Sequence, residues 1–73
     1  MDEQKQKTVE LLKKYLEDIN FSVREKKIMS MRWGLKDGRQ MTLEAVGREF
    51  GITRARVWQI QSSVLEKIKG LNK

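Results

Sequence analysis

Residues 42–60 read TLEAVGREFGITRARVWQI, and this stretch decides the fold. Apolar residues recur at helical spacing on both sides of its central glycine, at Val46, Phe50, Val57 and Ile60. Gly51 can adopt the positive φ that a tight turn requires, and Gly47 has no side chain to hold two crossing helices apart. Two short amphipathic helices joined by such a turn form a helix-turn-helix, so the stretch predicts this motif.

Two threonines mark the starts of the paired helices. Thr42 and Thr53 each precede a helical pattern, where a hydroxyl can accept hydrogen bonds from free backbone N–H groups. The helix after Thr42 is expected to bury three residues before it ends at Gly51, namely Leu43, Val46 and Phe50. Ile52, between the turn and Thr53, is expected to point into the core.

The last helix is predicted to run from Arg54 to about Lys69 and to end at Gly70. Its apolar residues form one continuous stripe, made by Val57, Ile60, Val64, Leu65 and Ile68. If this stripe faces the core, five residues near the start of the helix face outward: Arg54, Ala55, Trp58, Gln59 and Ser62. The N-terminal end of a recognition helix is the part that enters the major groove of DNA.

These five outward residues are the predicted base-reading residues, and two of them can distinguish bases by paired hydrogen bonds. Arg54 can donate two hydrogen bonds to guanine, and Gln59 can pair with the edge of adenine. Thr42 and Thr53 place hydroxyls and free backbone N–H groups where phosphate oxygens bind well. Four further arginines are candidates for phosphate contacts, at Arg24, Arg32, Arg48 and Arg56.

The N-terminal half supplies two supporting helices. The first has an apolar stripe of Val9, Leu12, Leu16 and Ile19, with Asn20 as its expected end. The second begins with a capping box at Ser22 and Glu25 and ends near Trp33, before Gly34. We therefore predict an all-α fold, a small four-helix domain with a C-terminal helix-turn-helix. Residues 1–73 form one domain in this prediction, with support helices over 8–33 and the helix-turn-helix over 42–69.

The amino-acid composition excludes several classes of function. The chain has 73 residues with a net charge of +6, and it contains neither Cys nor His. Residues 21–73 carry twelve basic and five acidic side chains, which favours a polyanionic partner such as nucleic acid. Without Cys or His, the commonest nucleophiles, proton-transfer groups and soft metal ligands are missing, so we predict no enzymatic activity, metal or cofactor. No stretch is apolar enough to span a membrane, and none resembles a signal peptide.

The sequence also resembles a known family. The residues Arg32-Trp33-Gly34-Leu35 and Asp37-Gly38, followed by 42–60, are similar to region 4 of bacterial sigma factors of the primary type. The similarity covers about 50 of the 73 residues, from Ser22 to Ile68. It implies a domain that reads the -35 promoter element in the major groove and docks on the β flap of RNA polymerase. It further implies action in the bacterial cytoplasm, at the nucleoid, and contact with an anti-sigma or activator protein.

The resemblance assigns roles residue by residue. It places Arg54 and Gln59 against promoter bases. It places four residues at or near the DNA backbone, namely Arg24, Arg32, Thr42 and Arg56. It places Trp33, Leu35 and Ile68 on the apolar side that receives the flap helix. Because the resemblance covers only the last domain of much longer proteins, we expect this chain to be a fragment.

Four residues depart from the family pattern. Ala55 stands where primary factors carry Glu, Trp58 replaces Arg, Ser63 replaces Lys, and Glu66 replaces a basic residue. These changes are expected to alter the preferred promoter sequence more than the fold. Trp58 packs either on a sugar or thymine methyl group or on a protein partner. Two functions therefore stay open: recognition of promoter DNA, and a sigma-like module that binds polymerase or an anti-sigma protein with little DNA specificity.

Overall fold

The fold is built from helices alone in the residues that the computed structural model describes, 3–17 and 21–71. In chain order these are α1 (Glu3–Tyr15), α2 (Val23–Trp33), α3 (Leu43–Phe50) and α4 (Arg54–Leu71). The prediction of a small all-α domain that contains a helix-turn-helix is confirmed.

α1 begins earlier than predicted. It starts at Glu3, five residues before the expected start, because the residues there are good helix formers such as Gln and Lys. Leu12 and Leu16 lie in the core as expected, whereas Val9 is only half-buried. Ile19 and Asn20, the expected last apolar residue and stop, lie outside the described residues.

α2 is bounded by the caps that the sequence predicts. The Oγ of Ser22 accepts a hydrogen bond from the backbone N–H of Glu25 at 3.1 Å. The Glu25 carboxylate accepts one in return from the backbone N–H of Ser22 at 2.9 Å. These two bonds complete the capping box, which satisfies donors that the first turn leaves free. The helix ends at Trp33, and Gly34 after it adopts the left-handed conformation that caps the helix.

The turn between α3 and α4 depends on two glycines. Gly51 has φ +67°, a conformation that costs other residues energy. A Cβ on Gly47 would lie 2.5 Å from the carbonyl oxygen of Ile52, so α3 and the turn approach each other closely there. The Oγ1 atoms of Thr42 and Thr53 accept hydrogen bonds from Ala45 and Arg56, each at 3.1 Å. Both predicted threonine caps are confirmed.

The predicted end of α4 at Gly70 is wrong, because the helix continues through this glycine to Leu71. Glycine within a helix costs only about 1 kcal/mol relative to alanine. Burial of a side chain the size of Ile68 contributes about 1.5–3 kcal/mol, which is enough to hold the preceding turn in place. Glycine therefore permits a helix end without requiring one.

The core lies along the inner stripe of α4, which contacts each of the other three helices. Its buried apolar side chains are Leu12, Leu16, Phe21, Ile28, Met29, Val46, Val57, Ile60, Val64 and Ile68. Leu43 and Phe50, predicted to be buried, are only half-buried and pack against the edge of this core. They lie at the two ends of the short helix α3, where fewer neighbours surround a side chain. This packing leaves the opposite face of α4 exposed.

Candidate nucleic-acid interface

The outer face of α4 brings together four of the five residues predicted to read bases. Arg54, Ala55, Trp58 and Gln59 are all exposed. With Leu43 from the start of α3, they line a shallow depression at the N-terminal end of α4. Trp58 is 56% exposed although it is among the largest apolar side chains of the chain. Ser62, one turn further along, is half-buried.

A second groove adjoins this depression and contains three of the predicted DNA-binding residues, Arg32, Thr42 and Arg54. Its other lining residues are Lys5, Gln40, Met41, Leu43 and Glu44. Arg54 and Leu43 border both the groove and the depression, so the two form one continuous surface. We call this combined region the α3–α4 surface.

Arg32 is held within the groove. Its Nη1 donates a hydrogen bond to the carbonyl oxygen of Met41 at 3.2 Å, and its guanidinium lies 5.2 Å from the ring centre of Trp33. These two contacts already restrict the rotamers of the Arg32 side chain, so it loses less conformational entropy when it binds another group. The Arg32 side chain is therefore less mobile than a free arginine side chain.

Arg56 contacts a predicted base-reading residue. Its Nη1 donates a hydrogen bond to the Oε1 of Gln59 at 3.4 Å, with both side chains exposed. This bond orients the Gln59 amide so that its NH₂ group points away from Arg56. Arg24 is exposed in the first turn of α2, and it is not among the described residues that line the groove or the depression.

Of the three residues predicted to receive the flap helix, Trp33 and Leu35 reach the surface and Ile68 does not. Ile68 is fully buried, because it lies on the same inner stripe of α4 as Val64, so it can support a docking surface only from below. Trp33 is half-buried and lines a groove between α1 and the 34–40 loop. Leu35 is also half-buried, but it lines a different groove between α1 and α2.

The groove that contains Leu35 is apolar at its base and basic along its edge. It has a volume of about 350 Å³. The apolar lining residues are Leu12, Leu16, Met31 and Leu35, and the basic ones are Lys13, Lys26, Lys27 and Lys36. Lys26 forms an ion pair with Glu17 across one side, at 3.7 Å. We call it the α1–α2 groove.

Sequence reasoning missed five residues of the α3–α4 surface, which are Lys5, Gln40, Met41, Leu43 and Glu44. Lys5 comes from α1, outside the helix-turn-helix, and it reaches the groove because α1 packs against α4. No sequence signal predicts that placement. Leu43 was predicted to be buried, and its position directly after the Thr42 cap is the signal that it lies at the edge of the motif.

A comparison of the sequence with models of known protein families agrees with the helix-turn-helix that the structure shows. The model of the family "Sigma-70, region 4" matches residues 22–70, which include α2, α3 and nearly all of α4. The chain belongs to the sigma-70 region 4 family. The resemblance to region 4 of primary sigma factors is thereby confirmed.

Three relatives of this region 4 chain carry the name RNA polymerase sigma factor SigA. Those of Listeria monocytogenes serovar 1/2a and Listeria innocua serovar 6a are each 48% identical over 62 residues, which are 82% of this chain and 17% of the relative. That of a Bacillus species is 47% identical over 62 residues, covering 82% of this chain and 16% of the relative. The chain thus spans about a sixth of the length of these curated relatives.

The region 4 match contains every residue for which the sequence predicts DNA contact, and it leaves α1 outside. α1 nevertheless supplies Leu12 and Leu16 to the core and Lys5 to the α3–α4 surface.

Within residues 3–17 and 21–71, no group of three or more acidic side chains is close enough to hold a metal ion. Among the helices that the structure describes, none is long and apolar enough to cross a membrane.

Proposed function

We propose that this chain is the -35 promoter recognition domain of a sigma factor and acts in transcription initiation. It binds double-stranded promoter DNA and RNA polymerase, and its role is binding rather than catalysis. The observation that carries the proposal is the position of Arg54 at the exposed start of α4, where the basic groove meets the depression. From this position the Arg54 side chain can contact the DNA backbone and can also reach the edge of a base.

Binding divides into two tasks. Arg32, Lys5 and Arg56 neutralise phosphates, and the backbone N–H groups that stay free after Thr42 and Thr53 donate hydrogen bonds to phosphate oxygens. Arg54 and Gln59 enter the major groove and pair with base edges, where each bidentate pair discriminates by about 1–3 kcal/mol. So small a set of contacts binds weakly on its own. Attachment to polymerase raises the effective concentration of the domain at the promoter.

An amide NMR titration tests this function. A duplex with a -35 element is expected to shift the resonances of residues 53–62, together with Arg32 and Leu43, more than a scrambled duplex does. If about four phosphates are neutralised, affinity is expected to fall roughly 100-fold between 50 and 200 mM salt. Equal, small shifts with both duplexes would contradict sequence-specific recognition and leave only charge-driven association.

A second candidate function is supported by the α1–α2 groove. Its apolar base and lysine edge fit an amphipathic helix whose apolar face is bordered by acidic residues. In this candidate the domain binds the polymerase flap, or an anti-sigma or activator protein, and has little DNA specificity. Leu35 is the predicted flap-facing residue that this groove contains.

Leu35→Ala is expected to weaken binding of the chain to core RNA polymerase by about fivefold, because it removes half-buried apolar surface from the groove. The affinity for promoter duplex is expected to stay unchanged. Val23→Ala is the matched control, since Val23 is 68% exposed on α2 and is not among the described lining residues of the groove. Surface plasmon resonance with immobilised polymerase measures the affinity. Equal affinity for the Leu35→Ala and Val23→Ala variants would exclude this groove as the polymerase site.

A further inference from the structure

We propose that the depression at the start of α4 is a site for the 5-methyl group of thymine, and that Trp58 makes the domain selective for thymine at that position. This inference rests on the proposed function, because it concerns which base the α3–α4 surface reads. It predicts a contact that depends on one methyl group of the DNA.

Three of the five residues that line the depression are apolar. Leu43, Ala55 and Trp58 contribute hydrocarbon and aromatic surface, and Arg54 and Gln59 flank them. Ala55 is exposed and presents only a methyl group, so it offers no acceptor to the amino group of cytosine. Ala55 and Trp58, at the start of α4, therefore recognise a base by apolar contact more readily than by hydrogen bonds.

The major groove of DNA presents one strongly apolar group, the 5-methyl group of thymine. Cytosine carries hydrogen at the same position and adds an amino donor. A depression lined by Ala55 and the Trp58 ring therefore distinguishes thymine from cytosine in two ways. It buries the methyl group of thymine, and it leaves the amino group of cytosine without a hydrogen-bond acceptor. Arg54 and Gln59, on either side, remain available to read neighbouring purines.

Charge favours DNA over an apolar protein segment as the occupant. Arg54 lines the depression, and Arg56 lies within hydrogen-bonding distance of Gln59. The adjoining groove adds Lys5 and Arg32 against one acidic residue, Glu44, so the surface stays basic. Of the described residues that line the depression, none is acidic. An apolar contact surrounded by cationic groups suits a thymine methyl group, which lies within a few ångströms of its own strand's phosphates.

The test uses deoxyuridine, which differs from thymidine only by the missing methyl group. Each thymine of a -35 duplex is replaced in turn, and the affinity of the 73-residue chain is measured by fluorescence anisotropy. At one or two positions the wild-type chain is expected to lose about fourfold in affinity, the value for burial of one methyl-sized group. At the same position, cytosine is expected to bind worse than 5-methylcytosine.

Trp58→Ala identifies the residue responsible. Trp58 is exposed, so the variant is expected to fold, and it should bind thymine and deoxyuridine duplexes equally. Val23→Ala, which removes a comparably exposed apolar side chain from α2, should keep the fourfold preference. A double-mutant cycle of protein and DNA then assigns the methyl contact to Trp58.

The outcomes separate the two proposals. If the wild-type chain prefers the -35 duplex over a scrambled one but binds every deoxyuridine duplex as tightly as its thymine parent, the thymine site is wrong and the proposed function stands. If it binds both sequences equally, the proposed function itself is wrong. If Trp58→Ala keeps the thymine preference and instead weakens binding to RNA polymerase, Trp58 belongs to a protein interface and the thymine site is overturned.

Discussion

Replacing Gly47 by alanine is expected to destabilise the domain by about 1–3 kcal/mol, the usual cost of forcing extra atoms into a packed interior. For a chain of this size that corresponds to a fall in Tm of roughly 5–20 °C. The new Cβ would lie 2.5 Å from the carbonyl oxygen of Ile52 and 3.4 Å from the carbonyl carbon of Thr53. Both atoms belong to the backbone, so no side-chain rotation relieves the contact.

The hydrogen bonds of the turn prevent it from moving aside. The backbone N–H of Ile52 donates to the carbonyl oxygen of Gly47 at 2.9 Å, and the N–H of Gly51 donates to the same oxygen. A shift that relieves the clash must therefore stretch the bonds that close α3. It would also move Thr53, whose hydroxyl caps α4, so DNA binding is expected to weaken together with stability.

Gly70→Ala is the matched control for this substitution. Gly70 lies in the last turn of α4, and a Cβ there would meet nothing within 4 Å. Alanine is the better helix former by about 1 kcal/mol, so this variant is expected to unfold at the same or a slightly higher temperature than the wild-type chain. Thermal unfolding followed by circular dichroism at 222 nm measures all three proteins. A Gly47→Ala variant as stable as Gly70→Ala would show that the turn at Ile52 and Thr53 can move away from α3 at no cost.

The features that sequence predicts correctly are those fixed by a few neighbouring residues. The Ser22 and Glu25 capping box, the Thr42 cap and the left-handed Gly51 each depend on backbone groups within about one helical turn. Helical spacing likewise identifies the inner stripe of α4. Because that stripe is right, Arg54 also faces outward as predicted.

The features that sequence misses depend on packing between distant parts of the chain. The family resemblance assigned Ile68 to the side that receives the flap helix, whereas helical spacing placed it on the inner stripe, and the packing of α4 against the other helices buries it fully. Lys5 joins Arg32 and Arg54 because α1 packs against the rest of the domain. Gly70 was expected to end α4 because glycine can adopt a left-handed conformation. That freedom does not decide whether the helix ends, and α4 continues to Leu71.

Arg54→Ala is expected to have the largest effect on DNA recognition. Affinity for a -35 duplex should fall about 10- to 100-fold, since a bidentate contact to guanine is worth roughly 1–3 kcal/mol. Affinity for a scrambled duplex should fall only a few-fold, because there the loss is one positive charge near the phosphates. The ratio of the two affinities, measured by anisotropy at one fixed salt concentration, is the quantity that changes.

Lys69→Ala is the control that separates charge from position. Lys69 is exposed on the same helix and carries the same charge, but it lies in the last turn, about 22 Å of helix rise from Arg54. Its loss is expected to leave the ratio of promoter to scrambled affinity unchanged. If Arg54→Ala lowers both affinities by one common factor, as Lys69→Ala should, Arg54 contacts only phosphates. Base selection would then fall to Gln59 and Trp58, because they share the depression with Arg54.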